Sequence, residues 1–163
     1  VPIIRRETSA FLKTLIALKR PQSILEVGTA VGYSALLMSR VMPENCRITT
    51  IEKYEKRIPI AKRNFERAGK EPCITLLEGD AEEILGTLSG PYDFIFMDAA
   101  KGQYINYLPE ILRLMPKGGL LITAVRRRSS VGQCLTGRRY RGIPLCGRAP
   151  QPDDPYSDAR LFI

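Results

Sequence analysis

The sequence contains no histidine. That absence excludes every catalytic dyad or triad built on imidazole and removes the commonest metal ligand. Proton chemistry must fall to carboxylates, lysine or a cofactor. Cysteine is sparse and scattered: Cys46, Cys73, Cys134 and Cys146 lie far apart, with no Cys-x-x-Cys pair. A zinc site or disulfide framework is not expected, and a reducing cytoplasm is the expected compartment. No long apolar run occurs, although 44% of the 163 residues are hydrophobic. A soluble globular chain without a membrane span or secretory leader is expected, long enough for one domain with a real core.

Lysine is missing from one part of the chain only. Residues 1–124 hold 17 basic against 14 acidic side chains, a balance of +3, whereas residues 125–163 hold eight Arg, no Lys and three Asp, a balance of +5. Most of the basic excess therefore sits in the last quarter, and the mildly basic body gives nucleic-acid binding little support.

The body alternates between two periodicities. Apolar runs over residues 24–27, 47–51, 74–77, 92–97 and 119–123 read as strands. Helical spacing marks residues 7–19, 33–41, 56–68, 81–88 and 103–114. Strands separated by helices predict an α/β doubly wound parallel sheet, with ligands bound outside the carboxyl ends of the strands. After Thr123 the alternation stops, and Arg126-Arg127-Arg128 opens a stretch with no sustained period. The chain divides at this point into a body, 1–123, and an irregular basic tail, 124–163, which composition alone reads as disordered.

The candidate functional residues fall where the strands end. Glu26-Val27-Gly28-Thr29-Ala30-Val31-Gly32-Tyr33-Ser34 sets a glycine-bearing turn between the first strand and the next helix. Such a turn lets backbone N–H groups approach a ligand. Its Glu-x-Gly-x-x-x-Gly spacing is not the Gly-x-Gly-x-x-Gly of dinucleotide sites, and an acid before the turn suits a ligand with a cationic end better than a diphosphate. Glu52, 24 residues after Gly28, can accept both hydroxyls of a ribose, or it is a solvated carboxylate at a helix start. In Gly79-Asp80-Ala81, Asp80 can bond an adenine amine beside the small Ala81, or cap the next helix with Glu83 in capping-box spacing. Asp98 and Lys101, in Asp98-Ala99-Ala100-Lys101-Gly102-Gln103-Tyr104, can serve a divalent cation and a general base, or form a structural ion pair.

Over residues 1–123 these runs resemble the S-adenosylmethionine-dependent O-methyltransferases of the catechol and caffeoyl-CoA type. The last run is most similar to the bacterial branch that includes the tRNA 5-hydroxyuridine methyltransferases. The resemblance implies a Rossmann-like methyltransferase fold and a site divided among known residues. Gly28, Thr29, Gly32, Tyr33 and Ser34, with Glu26, would surround the methionine half of S-adenosylmethionine. Glu52 would hold the ribose, Asp80 and Ala81 the adenine. Val1-Pro2-Ile3-Ile4 resembles the segment that closes over the cofactor, which makes Ile4 a contact. Asp98 would bind Mg²⁺ or another divalent cation and touch the cofactor, and Lys101 would help deprotonate the acceptor. The implied reaction is in-line methyl transfer to a hydroxyl of a small phenol or a tRNA hydroxyuridine, with homodimerisation possible.

Two departures from the family pattern shape the expectations. A helical segment that precedes Val1 in the family is missing, and Ala124-Val125 stands where an Asp-Asn pair of metal ligands should follow strand five. Suitable codons from Gly132 onward, read one nucleotide later, can spell Asp-Asn-Val-Leu-Gln and, over residues 158–162, Met-Arg-Asp-Tyr-Leu. The tail is therefore expected to be an out-of-frame translation, the closing strands absent, the metal site incomplete and turnover weak. A chain of another class, a non-catalytic nucleotide- or RNA-binding module with a basic tail, is the alternative. An NAD-dependent oxidoreductase is disfavoured by the glycine spacing.

Overall fold

The computed structural model describes residues 4–99 and 103–124, together with the backbone of Arg160–Phe162. Helix α1 (Arg6–Lys19) leads into β1 (Ser23–Val27), α2 (Tyr33–Ser39), β2 (Arg47–Glu52), α3 (Ile58–Arg67) and β3 (Ile74–Glu78). Then follow α4 (Ala81–Thr87), β4 (Phe94–Met97), α5 (Tyr104–Leu114), β5 (Leu120–Thr123) and β6 (Arg160–Phe162). The strands form one sheet in the order β3-β2-β1-β4-β5-β6, and every pair is parallel. The expected α/β doubly wound sheet is thus observed, with β6 pairing Leu120–Ile122 as one strand more than the alternation of the body supplies.

The two-residue period of each strand sorts its side chains onto two faces. Ile24, Ile48, Phe94, Phe96 and Ile122 point to one side, where Leu12 and Ile16 of α1, Met38 of α2 and Phe65 of α3 cover them. Their neighbours Leu25, Ile51, Ile95, Met97 and Leu121 point to the other, against Leu85 of α4 and Tyr107, Ile111 and Leu114 of α5. Both faces are buried, which is why the strands read as near-continuous apolar runs rather than alternating ones.

Several element ends are set by specific partners. Arg20 takes a left-handed conformation (φ 48°) and donates its N–H to Ile16, ending α1 just before Pro21. Strand four starts later than its apolar run predicts, at Phe94, because the residues before it are committed elsewhere. Tyr92 donates its N–H to the Leu114 carbonyl at 2.8 Å, and the Asp93 carboxylate accepts the N–H groups of Gln22 and Ser23. These bonds tie the amino end of the sheet shut. The opposite end is where the order reverses: β1 runs to β2 on one side and to β4 on the other, so a crevice opens above Val27. Among the described residues no helix is long and apolar enough to cross a membrane.

Candidate functional site

The crevice is held open by residues that cannot carry a side chain. Gly28 leaves β1 at φ 105°, and a Cβ there would stand 2.7 Å from the backbone oxygen of Asp98, just after β4. Two backbones approach here, one from each side of the reversal point. Gly32 enters α2 at φ 85°, and its missing Cβ is filled by the Phe65 ring, 2.5 Å away. The first glycine is required by the loop opposite it and the second by the core beneath it. The turn is fixed further by the Gly28 and Thr29 N–H groups, both donated to the Ile51 carbonyl at 3.0 Å. Asn64 of α3 donates its Nδ2 to the Val31 carbonyl at 2.8 Å.

Glu52 closes the turn from β2. One oxygen accepts the Ala30 N–H at 2.7 Å and the other the Tyr54 N–H at 2.9 Å. Its carboxylate is nearly buried yet faces the cavity, and each oxygen keeps a lone pair for a further donor.

Beneath the turn, Glu26 is wholly buried. Its Oε2 accepts the Thr50 hydroxyl, and Thr29 in turn lies 2.6 Å from Thr50. Thr50 has one proton and gives it to Glu26, so Thr29 is the donor to Thr50. The other carboxylate oxygen, Oε1, is buried with no hydrogen-bond partner. Burial pushes the Glu26 carboxyl up to about 7. The Ser34 and Thr50 hydroxyls favour the charged form, while the Asp98 and Glu52 charges oppose them.

A cavity of about 460 Å³ lies above this turn. Of the residues expected from sequence, Ile4, Gly28, Thr29, Tyr33, Ser34, Glu52, Ala81 and Asp98 line it. Glu26, Gly32 and Asp80 do not form its wall. Glu26 supports the turn from below, and Gly32 faces Phe65. Asp80 caps α4, accepting the Glu82 N–H at 3.0 Å, and pairs with Lys53 at 3.1 Å. The Glu82 N–H, and after it Lys53, lower the Asp80 carboxyl from its ordinary value. The N-cap role weighed for Asp80 from sequence is the one its geometry displays. Val1, Pro2, Ile3, Lys101 and the tail over 125–159 lie outside the described residues.

Sequence reasoning missed part of the wall. Lys53, Tyr54 and Arg57 line the cavity beyond Glu52, with the Arg57 guanidinium 5.0 Å from the centre of the Tyr54 ring. Gln103, at the N-cap of α5, and Tyr107 within that helix also line it, and the Tyr107 hydroxyl donates to Gln103 Oε1. Burial, then Asp80, raises the Tyr107 phenol above its ordinary value. The available signal was their i, i+4 spacing on the first turn of a helix after a strand, which brings two side chains to one face. Next to them, the Tyr104 hydroxyl reaches the carbonyls of Met97 and Ala124, each at 3.3 Å, across the ends of β4 and β5. Burial and the Asp98 charge push that phenol up to about 12.

A divalent cation needs several oxygen donors around it. Among the described residues no group of three metal-ligating side chains comes together. Asp98 is one carboxylate, and among the described residues no donor set completes such a site around it. A nucleoside with a cationic end fits better: the volume suffices, Glu52 offers spare lone pairs to hydroxyls, and Glu26 brings an unsatisfied carboxylate oxygen beneath the turn.

The model of a family described as O-methyltransferase matches residues 2–125. A catechol O-methyltransferase of Niastella koreensis is 39% identical over 116 residues, covering 69% of this chain and 52% of that relative. Caffeoyl-CoA O-methyltransferase 2 of Populus trichocarpa is 36% identical over 121 residues, covering 68% and 47%. An O-methyltransferase from Bacillus cereus solved in complex with SAH superposes with a TM-score of 0.71 at 31% identity, over 74% of this chain and 57% of that one. One from Streptomyces achromogenes solved with SAM gives 0.70 at 29% identity, over 74% and 56%. The chain spans about half the length of the curated relatives it matches.

Proposed function

This chain belongs to the O-methyltransferase family, and from that premise we propose that its cavity binds S-adenosylmethionine for methyl transfer to a hydroxyl oxygen of a small catechol- or caffeoyl-type phenol. The observation that carries the reading is the pairing of Glu52 with the Gly28 turn at the reversal point of the sheet, on a cavity of nucleoside size. The names of the relatives and the SAH and SAM held by two similar structures support it.

When bound, the cofactor supplies a methyl group on a sulfonium, and transfer in line to oxygen cancels charge. Glu52 holds the ribose hydroxyls through the lone pairs its two backbone bonds leave. Gly28, Thr29, Tyr33 and Ser34 enclose the methionine half, with Ile4 on the wall and Gly32 fixing the entry to α2. Glu26 places negative charge beneath the turn, where a cationic ammonium favours its ionised form. Ala81 gives a flat ring room, with Asp80 anchoring the helix behind it. Asp98 stands beside the reacting end, and Lys101 is assigned the acceptor's proton.

The resemblance also implies a divalent cation for this step. Asp98 alone among the described residues is assigned to it, which does not make a site, so no step is routed through a metal. A tRNA hydroxyuridine is the competing acceptor, and homodimer formation is a further expectation of the same kind.

The test is calorimetric titration of the chain with S-adenosylhomocysteine and with NAD, followed by transfer of labelled methyl to catechol, caffeoyl-CoA and tRNA carrying 5-hydroxyuridine. Micromolar binding of S-adenosylhomocysteine and none of NAD is expected. Equal indifference to both ligands refutes the proposal. Labelling of tRNA in preference to the phenols reassigns the acceptor.

A further inference from the structure

Two descriptions of the adenine end of the cavity disagree. The sequence pattern assigns the base to Asp80, but this carboxylate, which accepts the Glu82 N–H and pairs with the Lys53 ammonium, is not part of the cavity wall. Gly79 and Ala81 on either side of it are part of that wall, so a planar ring can lie there with no carboxylate at its edge.

The same cavity wall also carries a carboxamide. Gln103 lines the cavity at the start of α5, and Tyr107, one turn further, is buried behind it with its hydroxyl on Gln103 Oε1. Tyr107 packs in one buried cluster with Ala81 and Leu85 of α4, which brings it to the side of the sheet where β3 passes into α4. The hydrogen bond from Tyr107 uses one lone pair of the carboxamide and restricts its rotation. Two N–H donors and one lone pair remain. Adenine presents the matching set along one edge, an amine donor beside a ring-nitrogen acceptor, and a glutamine side chain is well suited to bond both at once.

We propose that Gln103, oriented by Tyr107, reads the base edge of the bound nucleoside, while Asp80 serves the fold as a helix cap. This rests on the S-adenosylmethionine reading above. Gln103 is then a specificity-determining residue and Tyr107 a positioning residue that acts through it.

The experiment compares affinities of the full chain for S-adenosylhomocysteine and for its hypoxanthine counterpart, S-inosylhomocysteine, which reverses the donor and acceptor at the reading edge. The wild-type chain is expected to prefer the adenine ligand by roughly 10- to 100-fold, because a mismatched edge leaves polar groups unpaired. Gln103→Leu, similar in volume but without hydrogen bonds, is expected to bring that ratio to within about 3-fold of one. Tyr107→Phe keeps the ring packing and is expected to lower the ratio part of the way. Asp80→Asn, still a good cap, is expected to keep the ratio while lowering the melting temperature slightly. A Gln103→Leu chain that melts normally and discriminates like the wild type overturns the assignment, as does loss of discrimination in Asp80→Asn alone. Wild-type chain that binds neither ligand overturns the S-adenosylmethionine reading itself, and this assignment with it.

Discussion

A Cβ at Gly28 would stand 2.7 Å from the carbonyl oxygen of Asp98. The first strand and the fourth thus meet at their carboxyl ends with room for a hydrogen atom and nothing larger. Gly28→Ala combines that clash with a φ of 105°, which an alanine rarely adopts. The neighbour is backbone and cannot rotate away. The substitution is expected to cost about 3 kcal/mol, the upper end for backbone strain of this kind, and to abolish binding of S-adenosylhomocysteine. Urea denaturation and calorimetry measure the two effects.

Gly32 presents the contrasting case. Its obstacle is the edge of the Phe65 ring, a side chain that can move or be shortened. Gly32→Ala is expected to destabilise the chain, and part of that loss should be recovered in Phe65→Leu. The backbone strain at φ 85° remains in both backgrounds, so recovery stops short of the Phe65→Leu chain alone. A double-mutant cycle on melting gives the coupling, expected at about 1 kcal/mol for residues in contact.

Glu26 makes stability depend on pH. Its folded-state value lies near 7 against an ordinary 4.5, so between these values the folded chain holds a proton that the unfolded chain has released. The stability this gives is complete below about pH 4.5 and is lost as pH rises through 7, with a total of about 3 kcal/mol. Glu26→Gln carries no such titration. Stability of the variant relative to the wild type should therefore increase from pH 4.5 to pH 8, as read from chemical denaturation across that range. An unchanged difference between the two chains at both ends would contradict the burial argument.

Glu52 acts on the fold and the ligand together. Glu52→Gln keeps an acceptor for either Ala30 or Tyr54 but not both, and removes the charge that strengthens a bond to a ribose hydroxyl. Affinity for S-adenosylhomocysteine is expected to fall by about 10- to 100-fold, the effect of losing one or two hydrogen bonds to a charged group. Homocysteine, which lacks the ribose, should show a much smaller difference between the two chains, limited to the effect of the lost backbone bond on the turn.

The sheet and its ligand-binding end were legible in the sequence because strand and helix patterns alternate without interruption from residue 7 to Thr123. Most expected elements agree with the observed ones to within two residues. The start of β4 differs because a long-range bond, Tyr92 to Leu114, takes a residue out of its local pattern, whereas the α2 end and the α3 start are set by local turn bonds. The turn at Gly28 and the acid at Glu52 were readable from spacing, since both lie at strand ends. The neighbours of Asp80 were not. Which group an aspartate binds depends on a lysine 27 residues away in β2's exit loop, and no local pattern reports that pairing. Gln103 and Tyr107 were hidden for a related reason: on a helix face they resemble ordinary packing until the cavity opposite them is seen.

Every described residue of the cavity wall lies between Ile4 and Tyr107. The wall is therefore drawn, among the described residues, from a stretch that finishes before β5 begins. Among those residues, β5 supports that wall only through its pairing with β4, whereas the ends of β1, β2 and β3 form it directly. On the proposed reading, such a layout lets the hold on the methyl donor be specified separately from whatever follows β5.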